Sequence, residues 1–229
     1  MTAYFGYLSQ NLQQVLFLTY AHFLVVLISV GVGSAISIVL GLLVSTGEPN
    51  PARYSFDWFA GGVREGSLLI TAAVLTVPSL ALFVLLLPLT GFGLNTTIIV
   101  LTIYSLYTVL RNTVAGLTSV DRAVLESARG LGYGRVRRLL TIQFPLAWPV
   151  ILNGIRVTTL ITIAIAVVGA LVQGPGLGTL VFSGLSRIGA ANSFPQVITG
   201  TVFCLLVAAV FEIFYAIVQR LTIPRGIRV

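Results

Sequence analysis

Residues 20–44 read YAHFLVVLISVGVGSAISIVLGLLV, a run without a single charged side chain. At 1.5 Å of helical rise per residue it can cross a bilayer core, which takes about 20 apolar residues. Four further apolar blocks follow, at about 67–90, 96–110, 150–172 and 197–219. The 229-residue chain is 57% hydrophobic and 8% charged, with a mean hydropathy of +1.03. Soluble domains carry about 25% charged residues, so this chain has too little charge to coat a water-facing surface. The pattern predicts an all-α polytopic membrane protein, one transmembrane domain over 1–229 with about five spans.

All thirteen basic residues are arginine, and their distribution orients the chain. With five spans, the 45–66 loop, the stretch after the third span (about 112–149) and the C-terminus share one side. That side holds every arginine except Arg187. Positive charge favours the cytoplasmic face, so the N-terminus is expected outside and the C-terminus inside. The net charge of +7 is thereby accounted for by topology, and no nucleic-acid partner is expected. The absence of lysine excludes a GxxxxGK[ST] phosphate loop; any ATP-driven work must be done by another chain. Cys204 is the one cysteine, and one histidine with six scattered acids leaves no metal site and implies no cofactor.

Within the spans, Gly33, Ser37 and Gly41 recur every four residues on one helix face, a pattern that lets helices approach closely. His22, at the outer end of the first block, reads as an interfacial polar residue. Pro78 falls in the middle of the second block and cannot donate to the carbonyl of Val74, so a neighbour or a wetted cavity must satisfy that break. Pro78, Ser79, Thr102, Ser105 and Thr108 are therefore candidate pathway residues. The three hydroxyls on the third helix can equally bond their own i−4 carbonyls. Glu212 lies seven residues from the cytoplasmic end of the fifth block, roughly 10 Å deep. Arg156 lies six residues into the fourth block from the same side, roughly 9 Å deep. A charge at such depth seeks a partner, so these two are expected to pair, with Arg111 as the rival.

The long polar stretch contains DRAVLESARGLGYGRVRRLLTIQFP, residues 121–145. Asp121 is placed to cap a short helix. Glu126 and Ala128 are expected close together on one face of it. Gly132 and Gly134 supply a change of direction, and a second, basic helix is expected to stop at Pro145. Two short helices on a glycine elbow, tied to transmembrane helices on the cytoplasmic face, form a docking knob.

These residues resemble the EAA loop of type I ABC-importer permeases: Glu-Ala-Ala, three residues, Gly, nine residues, Ile-x-Leu-Pro. Here it stands as Glu126-Ser127-Ala128, Gly132, then Ile142-Gln143-Phe144-Pro145, with every spacing kept and Ser127 and Phe144 as the two departures. Val77–Leu82, Leu110–Thr113 and Gly174–Gly178 are similar to the IPSLAL, LRNT and GAGGLG stretches of the osmoprotectant permeases for glycine betaine, carnitine and choline. The 45–66 loop is longer than that group's usual one.

The resemblance implies a non-enzymatic transport subunit in a bacterial or archaeal cytoplasmic membrane. Its implied partners are ABC ATPase subunits, a second permease and an extracellular substrate-binding protein. Asp121, Glu126, Ser127, Ala128, Gly132, Ile142 and Pro145 would couple it to the ATPase. Another small solute, such as methionine, a polar amino acid or an oxyanion, is the alternative cargo. An ATP-independent secondary transporter would need more intramembrane acids than Glu212 alone. A membrane enzyme would need a catalytic cluster that the sequence lacks.

Overall fold

The computed structural model describes residues 2–45, Gly66 and 76–223. Among them every regular element is helical: α1 (Thr2–Ser45), α2 (Ser79–Thr90), α3 (Leu94–Thr118), α4 (Arg122–Gly130) and α5 (Arg135–Arg138). A π turn (Leu139–Gln143), α6 (Phe144–Val168), a 3₁₀ turn (Gly169–Val172), α7 (Gly178–Leu185) and α8 (Ser193–Thr222) complete the order. Four helical stretches are long and apolar enough to span a membrane: Tyr4–Ser45, Leu94–Thr118, Arg135–Val172 and Ser193–Thr222. The 45–66 loop apart from Ser45 and Gly66, the first part of the second block with Val74, and Arg225 and Arg228 lie outside the described residues.

The first helix begins far ahead of the apolar block at 20–44. Its polar-looking start is helical because Tyr7 and Val15 bury on the line that the rest of the helix continues, and the one break is at Asn11 (φ −118, ψ 15). Pro78 is the N-cap of α2, with φ −57 and ψ 137, and its ring disfavours helical backbone at Val77, the residue before it. The carbonyl of Val77, left at this break, accepts a hydrogen bond from the Tyr104 hydroxyl.

Which face of a membrane helix packs inward is marked by small and polar residues, because lipid accepts the apolar ones. On α1, His22, Ser29, Ser34, Ser37 and Gly41 are buried, whereas Phe17, Ile28, Val39 and Leu43 stand exposed.

The chain divides into two compact units. The first comprises Met1–Val32, Val77–Ser105 and Thr159–Phe214. There Ser29 donates to the Ile98 carbonyl (3.4 Å), Thr102 donates to the Ser29 carbonyl (3.4 Å), and Phe23 stacks on Phe211 at 4.7 Å. The second comprises Gly33–Thr76, Leu106–Thr158 and Tyr215–Val229. Its core gathers Leu117, Leu139, Ala147 and Ile151, with Phe144 and Trp148 packed against them. Close approach sets this unit's helix spacing: a Cβ on Gly41 would meet Thr113 Cγ2 at 2.5 Å, and one on Gly154 would meet Asn112 Cβ at 2.4 Å. Ser37 donates to the Leu106 carbonyl at 3.0 Å, so the small-residue line on α1 fits against α3.

Candidate coupling site on the two-helix elbow

The second unit carries the elbow. Asp121 opens α4, its Oδ1 accepting the Ala123 N–H at 2.9 Å and so satisfying one of the free donors of the first turn. Nine residues later the helix is closed with equal definition. Gly132 takes φ +81, its N–H bonds to the Arg129 carbonyl (2.9 Å), and the Tyr133 N–H bonds to the Ala128 carbonyl (3.1 Å). That pair of bonds is a Schellman closure, which requires a left-handed residue where Gly132 stands. Gly134, at φ −63 and ψ 162, is ordinary extended backbone. The elbow therefore depends on one glycine of the two.

Tyr133 then serves twice. Its ring carries the Arg137 guanidinium at 4.6 Å, a cation–π contact that ties the elbow to α5. It also walls a cavity of about 410 Å³ between α4 and the π turn, shared with Ala128, Leu131 and Ile142. The two ends of the EAA motif, Ala128 and Ile142, thus meet in one apolar recess although many residues separate them in sequence.

Two expectations need correction. Glu126 and Ala128 do not share a face: residues two apart on a helix point to opposite sides. Glu126 is exposed, while Ala128 is buried (5% exposed). Ser127, between them, returns its hydroxyl to the Ala123 carbonyl (2.8 Å). The basic helix also does not stop at Pro145. Proline lacks an N–H and its ring crowds the carbonyl one turn back. The chain widens just ahead of it, the Phe144 N–H reaching five residues back to Leu139, and helix continues unbroken into α6. α5 is consequently continuous with a membrane-spanning helix, and α4 joins it across the Gly132 turn.

The remaining candidates are distributed along the spans. Pro78 is exposed and Ser79 half-buried, both in the first unit. Thr102 is half-buried; Ser105 is fully buried and its hydroxyl is satisfied by the Thr102 carbonyl at 2.7 Å. Thr108, half-buried, belongs to the second unit, and its carbonyl accepts from Asn112 at 2.8 Å. Arg156 on α6 and Glu212 on α8 are both half-buried. Arg111, the rival for Glu212, is exposed and donates to the Tyr107 hydroxyl at 3.2 Å. His22 has no exposed surface and lies against the backbone of Gly176. The small-residue line on α1, followed back from Gly33 through Ser29, passes through His22; that was the signal in the sequence.

An all-helical membrane chain bearing such an elbow defines a class: the membrane-embedded permease subunit of an ABC importer. The chain belongs to the family described as binding-protein-dependent transport system inner membrane component, whose model matches residues 58–224. Among its relatives is the glycine betaine/carnitine/choline transport system permease protein OpuCD of Bacillus subtilis. It is 32% identical over 218 residues, covering 95% of this chain and 88% of the relative. The osmoprotectant import permease protein OsmW of Salmonella typhimurium is 30% identical, covering 97% and 98%. The fold is also that of a chain in an inward-facing structure of the MetNI methionine ABC transporter. The TM-score is 0.77 at 18% identity, covering 93% of this chain and 98% of that one.

Proposed function

We propose that this chain forms the translocation path of an ATP-driven importer for small quaternary-ammonium osmoprotectants such as glycine betaine, carnitine or choline. The observation that carries the coupling role is the elbow: a capped and Schellman-closed helix, Glu126 outward, joined across the Gly132 turn to α5, which is continuous through the π turn with a spanning helix. Leu131, Val136 and Leu140 stand exposed on and beside it, apolar surface suited to burial against a partner. The substrate class rests on near full-length similarity to osmoprotectant permeases.

In this reading ATP is hydrolysed on a separate ATPase subunit, which grips the elbow on the cytoplasmic side. A second permease, identical or related, completes the path, and an extracellular binding protein delivers the solute. Closure of the ATPases swings the elbow, and because α5 runs unbroken into α6 the motion reaches the membrane as a rigid-body tilt. Pro78, Ser79, Thr102, Ser105 and Thr108 mark the path.

The experiment is affinity purification from native membranes combined with uptake of labelled glycine betaine in vesicles, with methionine as competitor. An ATPase should co-purify and betaine uptake should require ATP. Glu126→Lys, on an exposed side chain, should insert normally yet lose both the ATPase and uptake. Uptake by the purified chain alone would refute the coupling reading, and competition by methionine in place of choline would refute the substrate class.

A further inference from the structure

Two turns of the first unit, at the ends of α3 and α6 away from the elbow, carry an inference about the solute. Gly93 leads directly into α3, and Gly169–Val172 continues α6. In the first turn Gly91 and Gly93 take φ +75 and +100, and Phe92 stands between them, 63% exposed. Thr96 donates to the Gly91 carbonyl and Thr97 to the Gly93 carbonyl (2.9 Å), which fixes this turn to the start of α3. In the second turn the Gln173 N–H bonds to the Ala170 carbonyl (3.1 Å) and the Gly174 N–H to the Gly169 carbonyl (2.9 Å). The two turns touch. The Gly93 N–H bonds to the Val172 carbonyl at 2.8 Å, and a Cβ on Gly93 would lie 3.8 Å from the Gln173 carbonyl oxygen.

Gln173 closes its turn at φ 61 and ψ 24, the one non-glycine with positive φ among the described residues. The elbow makes the same pair of closing bonds with Gly132 in that place. An L side chain is strained there, and glycine would hold the turn without the strain. What the strain keeps in place is an exposed amide on a backbone bonded on both sides; strain held by its surroundings in this way is typical of functional positions. An amide is costly against lipid hydrocarbon, so Gln173 belongs on a water-lined face.

Phe92 and Gln173 thus place an aromatic ring and an amide on two rigid turns in contact. A quaternary ammonium head has no N–H to donate, and an aromatic face attracts it electrostatically. The carboxylate of a betaine or carnitine accepts hydrogen bonds, and the hydroxyl of choline donates one; a glutamine amide answers both. We propose that Phe92 and Gln173 are specificity-determining residues for the solute, the ring taking the trimethylammonium head and the amide the carboxylate or hydroxyl. This inference rests on the osmoprotectant reading and goes beyond it by naming the groups that recognise the cargo.

The test uses the whole transporter, purified with its ATPase and partner permease into lipid nanodiscs. The binding protein is left out, so that the affinity read belongs to the membrane subunits. Binding of labelled glycine betaine is competed with choline and with the tert-butyl analogue of betaine, alike in shape but uncharged at the head. The parent should prefer betaine to that analogue by about tenfold. Phe92→Leu should abolish the preference, and Phe92→Tyr, which keeps a ring, should retain it. Gln173→Gly should weaken betaine binding by about tenfold while being at least as thermally stable as the parent. Gln173→Glu should reject betaine, through repulsion of its carboxylate, and still bind choline. An unchanged preference in Phe92→Leu overturns the proposal, even with lowered stability, since the ring is then only a membrane-interface anchor. Parent-like affinity or lowered stability in Gln173→Gly overturns it too, as does equal loss of betaine and choline in Gln173→Glu. A parent that transports betaine in vesicles but binds none without the binding protein sinks this inference alone. A parent that transports none of betaine, carnitine and choline sinks the osmoprotectant reading and this inference with it.

Discussion

Gly132 allows the coupling reading to be tested quantitatively. Its φ of +81 lies in the left-handed region, and a Cβ built on it would meet nothing within 4 Å. Substitution there is therefore a conformational cost without a steric one. Gly132→Ala should destabilise the closed elbow by about 1–2 kcal/mol, the ordinary penalty for a left-handed L-residue. If ATPase docking requires the closed elbow, association should weaken by roughly 5–30-fold. Gly132→Val should cost more, because a β-branched side chain resists that region further. Gly132→Asn should cost least, since asparagine tolerates it. Gly134→Ala is the control: its backbone is extended, a Cβ there is equally unobstructed, and association should be unchanged. The assay is titration of the purified permease with labelled ATPase, after membrane insertion of each variant has been verified. The order Asn, Ala, Val tracks backbone conformation alone. Equal affinities for Gly132→Val and parent would refute the requirement for a closed elbow. Equal loss in Asn and Val would show that the glycine is needed for contact with the partner and not for its φ.

Other outcomes follow from the spans. In a Cys204→Ala background, a cysteine at Ser79 should react with water-soluble thiol reagents, while one at fully buried Ser105 should be protected in the state described; protection of position 79 in every nucleotide state would remove it from the path. Gly41→Ala forces a Cβ to within 2.5 Å of Thr113 Cγ2 and should cost about 1–3 kcal/mol by overpacking. Thr113→Ser removes that methyl and should restore part of the loss in thermal stability; no recovery would place the damage elsewhere. Glu212→Gln should lower thermal stability, and exchanging the charges as Arg156→Glu with Glu212→Arg should recover some of it. A double variant no better than the worse single one would show that the two residues are not partners.

Much of the candidate coupling site was legible in the sequence because its signals are local. Asp121 one residue before a short helix is a capping signal, and the spacing from Glu126 through Gly132 to Pro145 is a fixed string. Residues further apart in space could not be read the same way. That Ala128 and Ile142 wall one recess follows from the Schellman turn and the π turn together, and the π turn leaves no mark beyond the proline after it. The opposite facing of Glu126 and Ala128 follows from the helical repeat alone.

By itself the sequence determined the all-α membrane class, the apolar blocks and the motif of the candidate coupling site. Each depends on runs of hydrophobicity or fixed spacing, quantities that a linear string contains. Tertiary structure alone decided which faces are inside. Leu43 and Val26 are equally apolar, yet one is exposed and the other fully buried, because lipid and protein interior attract the same side chains and hydropathy cannot separate them. What separates them is the close approach of helices far apart in sequence: Gly41 against Thr113, Gly154 against Asn112, Gly176 against His22. Such contacts are set by how backbones meet in three dimensions, and for that reason the full burial of His22 in the first unit could not be read from its place in the string.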